Sequence, residues 1–126
     1  MSVARTVLVV EDDPALRRLL ASALTRDGHD VVAITDGRSC IAWLQAARDE
    51  GRVPALVLTD LRMPGGGLEF ITRICRGLPG VPVLLMTAFG DSASHAGARL
   101  AGVRQVFDKP LDVDLLRARV AELVAA

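Results

Sequence analysis

Lysine is nearly missing from this chain: all but one of its 15 basic residues are arginine, and the exception is Lys109, in the stretch "VFDKP". Arginine is a rigid planar fork, whereas lysine is a compact charge on a flexible stem, and the two differ most where one charge must reach into a crowded acidic site. The scarcity marks Lys109 as a candidate for chemistry. Tyrosine is absent and the single tryptophan, Trp43, falls in a helical pattern, so no aromatic pair is evident to stack a flavin ring. Neither sign of charge is in excess, with 15 acidic residues against 15 basic ones. That balance excludes the broad positive field of a chain whose main partner is nucleic acid or an anionic membrane. No apolar run approaches the ~20 residues of a membrane span. The start "MSVARTVLVVEDD" lacks the long apolar region and cleavage site of a signal peptide, so the expected address is the cytoplasm. Cys40 and Cys75 form no C-x-x-C pair, stand near no metal-binding histidine, and read as small core residues.

What is there instead is apolar sequence in two alternating patterns, in a chain whose length suits one domain over residues 1–126 and whose 51% hydrophobic content can fill a core. Short, nearly continuous runs occur at Thr6–Val10, Asp30–Ile34, Ala55–Thr59, Val81–Thr87 and Arg104–Phe107. Strands without polar alternation are covered on both faces, as in a parallel sheet. Between the runs, Leu16, Leu19, Leu20, Ala23 and Leu24 recur on one face of a helix, with Asp13 as its N-cap, Pro14 in its first turn and Gly28 at its stop. Trp43, Leu44 and Ala47 mark a second helix and Phe70, Ile71 and Ile74 a third. Leu115, Leu116, Val120 and Leu123 mark the last, with Asp112 near its cap. The segment "DSASHAGARLAG" is the weakest helix, because Gly97 costs ~1 kcal/mol relative to alanine; mobility is expected there. Five strands alternating with five helices through right-handed crossovers make a doubly wound α/β sandwich.

In open α/β sheets the ligand sits beyond the carboxyl ends of the strands. The residues there are Glu11 and Asp12 after the first run, Asp60 after the third, Thr87 at the end of the fourth and Lys109 after the fifth. Two like charges ~4 Å apart repel by about 4 kcal/mol at an effective dielectric of 20, so three packed carboxylates need a cation. A hard divalent ion such as Mg²⁺ or Mn²⁺ supplies it, typically held by one or two carboxylates plus phosphate oxygens. A carboxylate beside it can act as a nucleophile toward phosphorus, while the metal and a lysine neutralise the transferring group. Asp13 could pass for a third metal ligand, but beside Pro14 it reads better as the cap. Glu69 reads as a solvated helix residue, and neither His29 nor His95 has a partner that would make it catalytic.

The stretches "VLVVEDDPALRRLL", "LVLTDLRMPGGGLEF", "VLLMTAFGD" and "VFDKP" resemble the receiver domain of bacterial two-component response regulators over essentially the whole chain. The resemblance implies the flavodoxin-like strand order 2-1-3-4-5. It further implies a signalling domain rather than a turnover enzyme, with intrinsic Mg²⁺-dependent autophosphorylation and autodephosphorylation of an aspartate. On the matching positions, Asp60 is the phosphoacceptor, Asp12 the direct metal ligand, and Glu11 a ligand acting mainly through water. The backbone carbonyl of Arg62 completes the metal set. Thr87 and the Ala88 amide bind the phosphoryl group, Lys109 pairs with Asp60, and Pro110 follows in a bond often cis in the family. The implied partners are a sensor histidine kinase or histidine phosphotransfer protein and a downstream protein, with no membrane or direct nucleic-acid binding. A single-domain regulator is favoured over the N-terminal receiver of a longer DNA-binding or enzymatic regulator.

Three departures stand out. The loop "DLRMPGGGLEF" is one residue shorter than the usual pattern; its three glycines suggest mobility or close backbone approach, not a phosphate cradle, since no Gly-Lys-Ser/Thr follows. Val106 stands where the family usually has Tyr or Phe, and Phe107 should face the other side of its strand. Output is therefore expected through the fourth helix and the loop before it, a reading that an unchanged fourth helix on phosphorylation would contradict. Arg62 and Phe89, at positions that tune phosphate lifetime, offer no acid or amide to orient water, which implies a long-lived phosphoryl group. An aspartyl-phosphate phosphatase of the haloacid-dehalogenase type would need an acid where Arg62 stands.

Overall fold

The run-and-helix alternation is realised in order in a computed structural model, which describes residues 6–88 and 92–125. The strands are β1 (Thr6–Val10), β2 (Asp30–Ile34), β3 (Leu56–Asp60), β4 (Val83–Ala88) and β5 (Gln105–Lys109). The helices are α1 (Pro14–Arg26), α2 (Gly37–Asp49), α3 (Leu68–Gly77), α4 (Ser92–Ala101) and α5 (Val113–Ala125). All strand pairs are parallel, in the order β2-β1-β3-β4-β5. The expected doubly wound sheet and its strand order are what the structure has.

The absence of polar alternation follows from cover on both faces. Leu8 and Val10, Val57, and Val83 and Leu85 pack with Ile71, Ile74 and Ala98 on one side. Val7 and Val9, Leu56 and Leu58, and Leu84 and Met86 pack with Leu20, Leu24, Leu116 and Val120 on the other. Successive strand residues point to opposite faces, so each run feeds two cores at once. Exposed positions fall in the edge strands β2 and β5 and at Ala88, the last residue of β4. Val106 joins the first core and Phe107 the second, so the phenylalanine does face away from the side Val106 serves.

Helix ends follow local chemistry. Asp13 accepts from the Ala15 amide at 3.1 Å with Pro14 opening α1, and Gly28 takes φ +96° beyond its end. Asp112 caps α5 through the Leu115 amide at 3.0 Å. Asp36, unremarked in the sequence reading, caps α2 through Ser39 at 2.8 Å. No described helix is long and apolar enough to cross a membrane.

Cys40 is fully buried and desolvation pushes its thiol up to about 12; Cys75 is half-buried, and burial raises it as well. The thiolate is the reactive form. Iodoacetamide on the folded protein at mildly alkaline pH should therefore leave Cys40 unmodified and alkylate Cys75 slowly, with both reacting fast in urea, as read by peptide mass mapping. Rapid native labelling of Cys40 would contradict its place in the core.

Candidate functional site

The strand order reverses between β1 and β3, since the chain leaves β1 for β2 on one side and reaches β3 on the other. Val10 pairs with Thr59, which sets the next residues, Glu11 and Asp60, level at the top of the sheet. The strand begins and ends one residue later than the apolar run, which places Asp60 at the end of β3, where its backbone is held by the sheet rather than by a loop. Glu11, Asp12 and Asp60 each bring a carboxylate oxygen within 4.8 Å of the others. Thr87 pairs with Asp108 and Ala88 with Lys109 across β4 and β5, so the hydroxyl and the lysine rise beside the same cleft.

Lys109 sits in β5 rather than in a loop after it, and its Nζ donates to Asp60 Oδ2 at 2.9 Å and to Glu11 Oε1 at 3.0 Å. The second oxygen of Asp60 accepts from the Leu61 amide at 2.8 Å. Glu11 is fully buried, and desolvation raises its carboxyl above the ordinary value despite the Asp13 amide and Lys109, which pull the other way. Burial pulls the Lys109 ammonium down, but its bonds to Asp60 and Glu11 outweigh that and hold it above its ordinary value. Thr87 is buried, and its Oγ1 has no hydrogen-bond partner among the described residues. A buried hydroxyl without a partner is costly unless a ligand completes it. The Lys109–Pro110 peptide bond is cis.

The three carboxylates are an all-oxygen donor set, as Mg²⁺ requires. Asp13 lies outside it: its side chain caps α1, while its amide donates to Glu11 Oε2 at 3.0 Å. Glu69 is exposed in the first turn of α3. His29 is half-buried with its Nε2 unpartnered, whereas His95 lies 2.7 Å from Asp108 and ties α4 to β5 outside the carboxylate cluster. Arg62 is exposed in the bend after β3, and Phe89 lies outside the described residues.

Two features went unread in the sequence. Arg17 donates from Nη1 to the backbone carbonyl of Glu11 at 2.9 Å, fixing the turn that carries the acidic pair. Its signal was only an arginine one turn into α1. The glycine loop is the second: Gly37, at the start of α2, donates to the Pro64 carbonyl at 3.0 Å, and a Cβ there would stand 2.0 Å from the Gly65 carbonyl oxygen. A Cβ on Gly66 would lie 2.7 Å from the Leu61 carbonyl oxygen. Of the two readings of the glycines, the structure shows close backbone approach.

The family model of the response regulator receiver domain matches residues 7–121. The transcriptional regulatory protein TcrA of Mycobacterium tuberculosis is 39% identical over 118 residues, which are 93% of this chain but 45% of TcrA. The receiver domain of NtrX from Brucella abortus superposes with a TM-score of 0.82 at 26% identity, covering 95% of this chain and 98% of that one. A CheY-like receiver domain protein from Methanospirillum hungatei shares the fold with a TM-score of 0.85 at 20% identity, over 96% and 94% of the two chains. The chain thus spans less than half the length of TcrA.

Proposed function

Since the chain belongs to the response regulator receiver domain family, we propose that it is a phosphoacceptor switch in which Asp60 takes a phosphoryl group from a phosphohistidine of a sensor kinase or phosphotransfer protein. The observation that carries this reading is the convergence of Lys109 on Glu11 and Asp60 beside the unpartnered hydroxyl of Thr87. Asp12, Glu11, Asp60 and the Arg62 carbonyl would hold Mg²⁺, which supplies charge neutralisation at the phosphoryl oxygens. An Asp60 carboxylate oxygen attacks phosphorus as the P–N bond to the donor imidazole breaks; the imidazole departs with a proton, and an acyl phosphate remains. Lys109 exchanges its bond to Asp60 for one to a phosphoryl oxygen, which a flexible point charge can follow. The Thr87 hydroxyl and the Ala88 amide donate to another. Catalysis of this kind is positioning and electrostatics.

In this reading residues 7–121 form the receiver, and a downstream protein reads its phosphorylated surface. A partner can report the switch only by binding the two states with different affinity. Val106 provides no ring to swing behind Thr87, so α4 and the loop before it carry the change. Incubation with acetyl phosphate and Mg²⁺, followed by intact mass, should show the gain of one phosphoryl group. That gain should be absent without metal and absent in Asp60→Asn. The adduct should decay over many minutes, because neither Arg62 nor Phe89 orients water. Uptake in Asp60→Asn equal to wild type would overturn the acceptor assignment, and a half-life of seconds would overturn the role given to Arg62 and Phe89.

A further inference from the structure

Away from the acidic cluster, α2 and α3 leave a groove between them. A cavity of about 270 Å³ lies over Ile41, Leu44, Ile74 and Leu78. A second of about 440 Å³ continues over Ile41 and Phe70 to Gly65 and Gly66, and the two share Ile41, Gln45 and Arg73. The floor is aliphatic apart from Phe70, while the walls are arginine: Arg38 and Arg48 from α2, Arg73 from α3, and Arg52 beyond the end of α2. Arg52 is held by Glu50, but Arg38, Arg48 and Arg73 form no ion pair among the described residues, and all three are exposed. Glu69 is the single acid on either lining. In a chain whose charges balance at 15 against 15, this grouping is local and not a general basicity.

We propose that the α2–α3 groove docks an acidic amphipathic helix of a partner protein, its apolar side chains on Ile41, Leu44 and Val53 and its carboxylates against Arg38, Arg48 and Arg73. Charge complementarity selects the acidic partner, and the floor selects its form. Thirteen residues of α2 run ~20 Å, room for apolar anchors at i, i+3, i+4 and i+7 of a helix laid alongside. Nucleic acid fits less well, since bases need aromatic platforms for stacking and Phe70 is the single aromatic residue in the lining. The proposal goes beyond the phosphoacceptor reading and does not rest on it, because docking requires neither Asp60 nor metal.

The test uses fluorescence anisotropy with three labelled probes: a designed helical peptide with leucines at those anchor positions and glutamates elsewhere, the same peptide with lysines for glutamates, and a single-stranded oligonucleotide of similar length. The acidic peptide should bind at least about tenfold tighter than the basic one, and tightness should fall with salt. In Arg48→Glu/Arg73→Glu, both substitutions being on exposed side chains, binding of the acidic peptide should weaken by about tenfold or more while acetyl phosphate uptake stays at the wild-type level. The neutral pair Arg48→Gln/Arg73→Gln should fall between. Equal binding of the two peptides, unchanged binding by the charge-reversed protein, or tighter binding of the oligonucleotide would each overturn the proposal.

Discussion

Lys109→Ala is expected to destabilise the metal-free protein by about 3 kcal/mol and to make its stability depend strongly on Mg²⁺. The lysine donates to both Glu11 and Asp60, whose side chains are almost entirely buried. Removing one partner of a buried ion pair costs roughly 3–5 kcal/mol because the remaining charge stays buried and uncompensated. The lysine is 31% exposed, which places the cost at the low end. For a domain of this size the loss is roughly 10 °C in Tm. Added Mg²⁺ should restore much of that, since a divalent ion supplies the missing charge and stabilises whatever state binds it. Lys109→Arg keeps the charge and should recover part of the stability while fitting the acceptor oxygen less well.

The pH dependence of the difference has a definite sign. The folded-state value of Lys109 is raised above 10.5, so its stabilisation is complete below that pH and is lost only as the pH climbs through the raised value. Glu11 works in the opposite sense: burial raises its carboxyl above 4.5, the folded state holds the proton more tightly, and stability falls as pH rises between those two values. Without Lys109 to offset it, that slope should steepen, so the metal-free alanine variant gains stability on mild acidification more than wild type does. Thermal unfolding with and without Mg²⁺ across the pH range checks both. An alanine variant as stable as wild type, or indifferent to metal, would show that Lys109 does not compensate the acids.

How far these relations could be read beforehand varied with their range. Lys109 stood out by composition, and Glu11, Asp12, Asp60 and Thr87 by falling just beyond apolar runs, because a parallel sheet delivers every strand end to the same edge. Boundaries were less legible: β3 and β5 run on through Asp60 and Lys109, where polar side chains continue the ladder because their backbone bonds do not depend on side-chain polarity. The Arg17 clamp and the Asp36 cap depend on geometry that a local pattern does not encode. Gly37 was invisible for a stronger reason. Its contact is with Gly65, and no periodicity within either segment reports a backbone-to-backbone approach between them. The short glycine loop was visible as an anomaly, and its other half was not.

That pairing gives alanine substitutions at two glycines very different consequences. At Gly37 the added Cβ would stand 2.0 Å from the Gly65 carbonyl oxygen and 2.5 Å from its carbon. Both are backbone atoms, and the Gly37 amide is already bonded to the Pro64 carbonyl, so the segments cannot part without losing that bond. Overpacking costs roughly 1–3 kcal/mol, and a rigid obstacle puts Gly37→Ala at about 3 kcal/mol or above. Because the displaced loop leads directly out of Asp60, phosphoryl uptake should slow as well. At Gly97 the nearest obstacle is Leu68 Cδ1 at 2.6 Å, the end of a side chain that is 38% exposed and free to rotate outward. Alanine gains ~1 kcal/mol over glycine inside a helix, which offsets the cost of moving Leu68. Gly97→Ala should stay within about 1 kcal/mol of wild type. Urea unfolding followed by the fluorescence of Trp43, which packs against the core from α2, measures both on one scale. Equal midpoints for the two variants would mean that the loop yields to α2 as easily as a leucine side chain does, and the close approach at Gly37 would then carry no constraint on the acceptor loop.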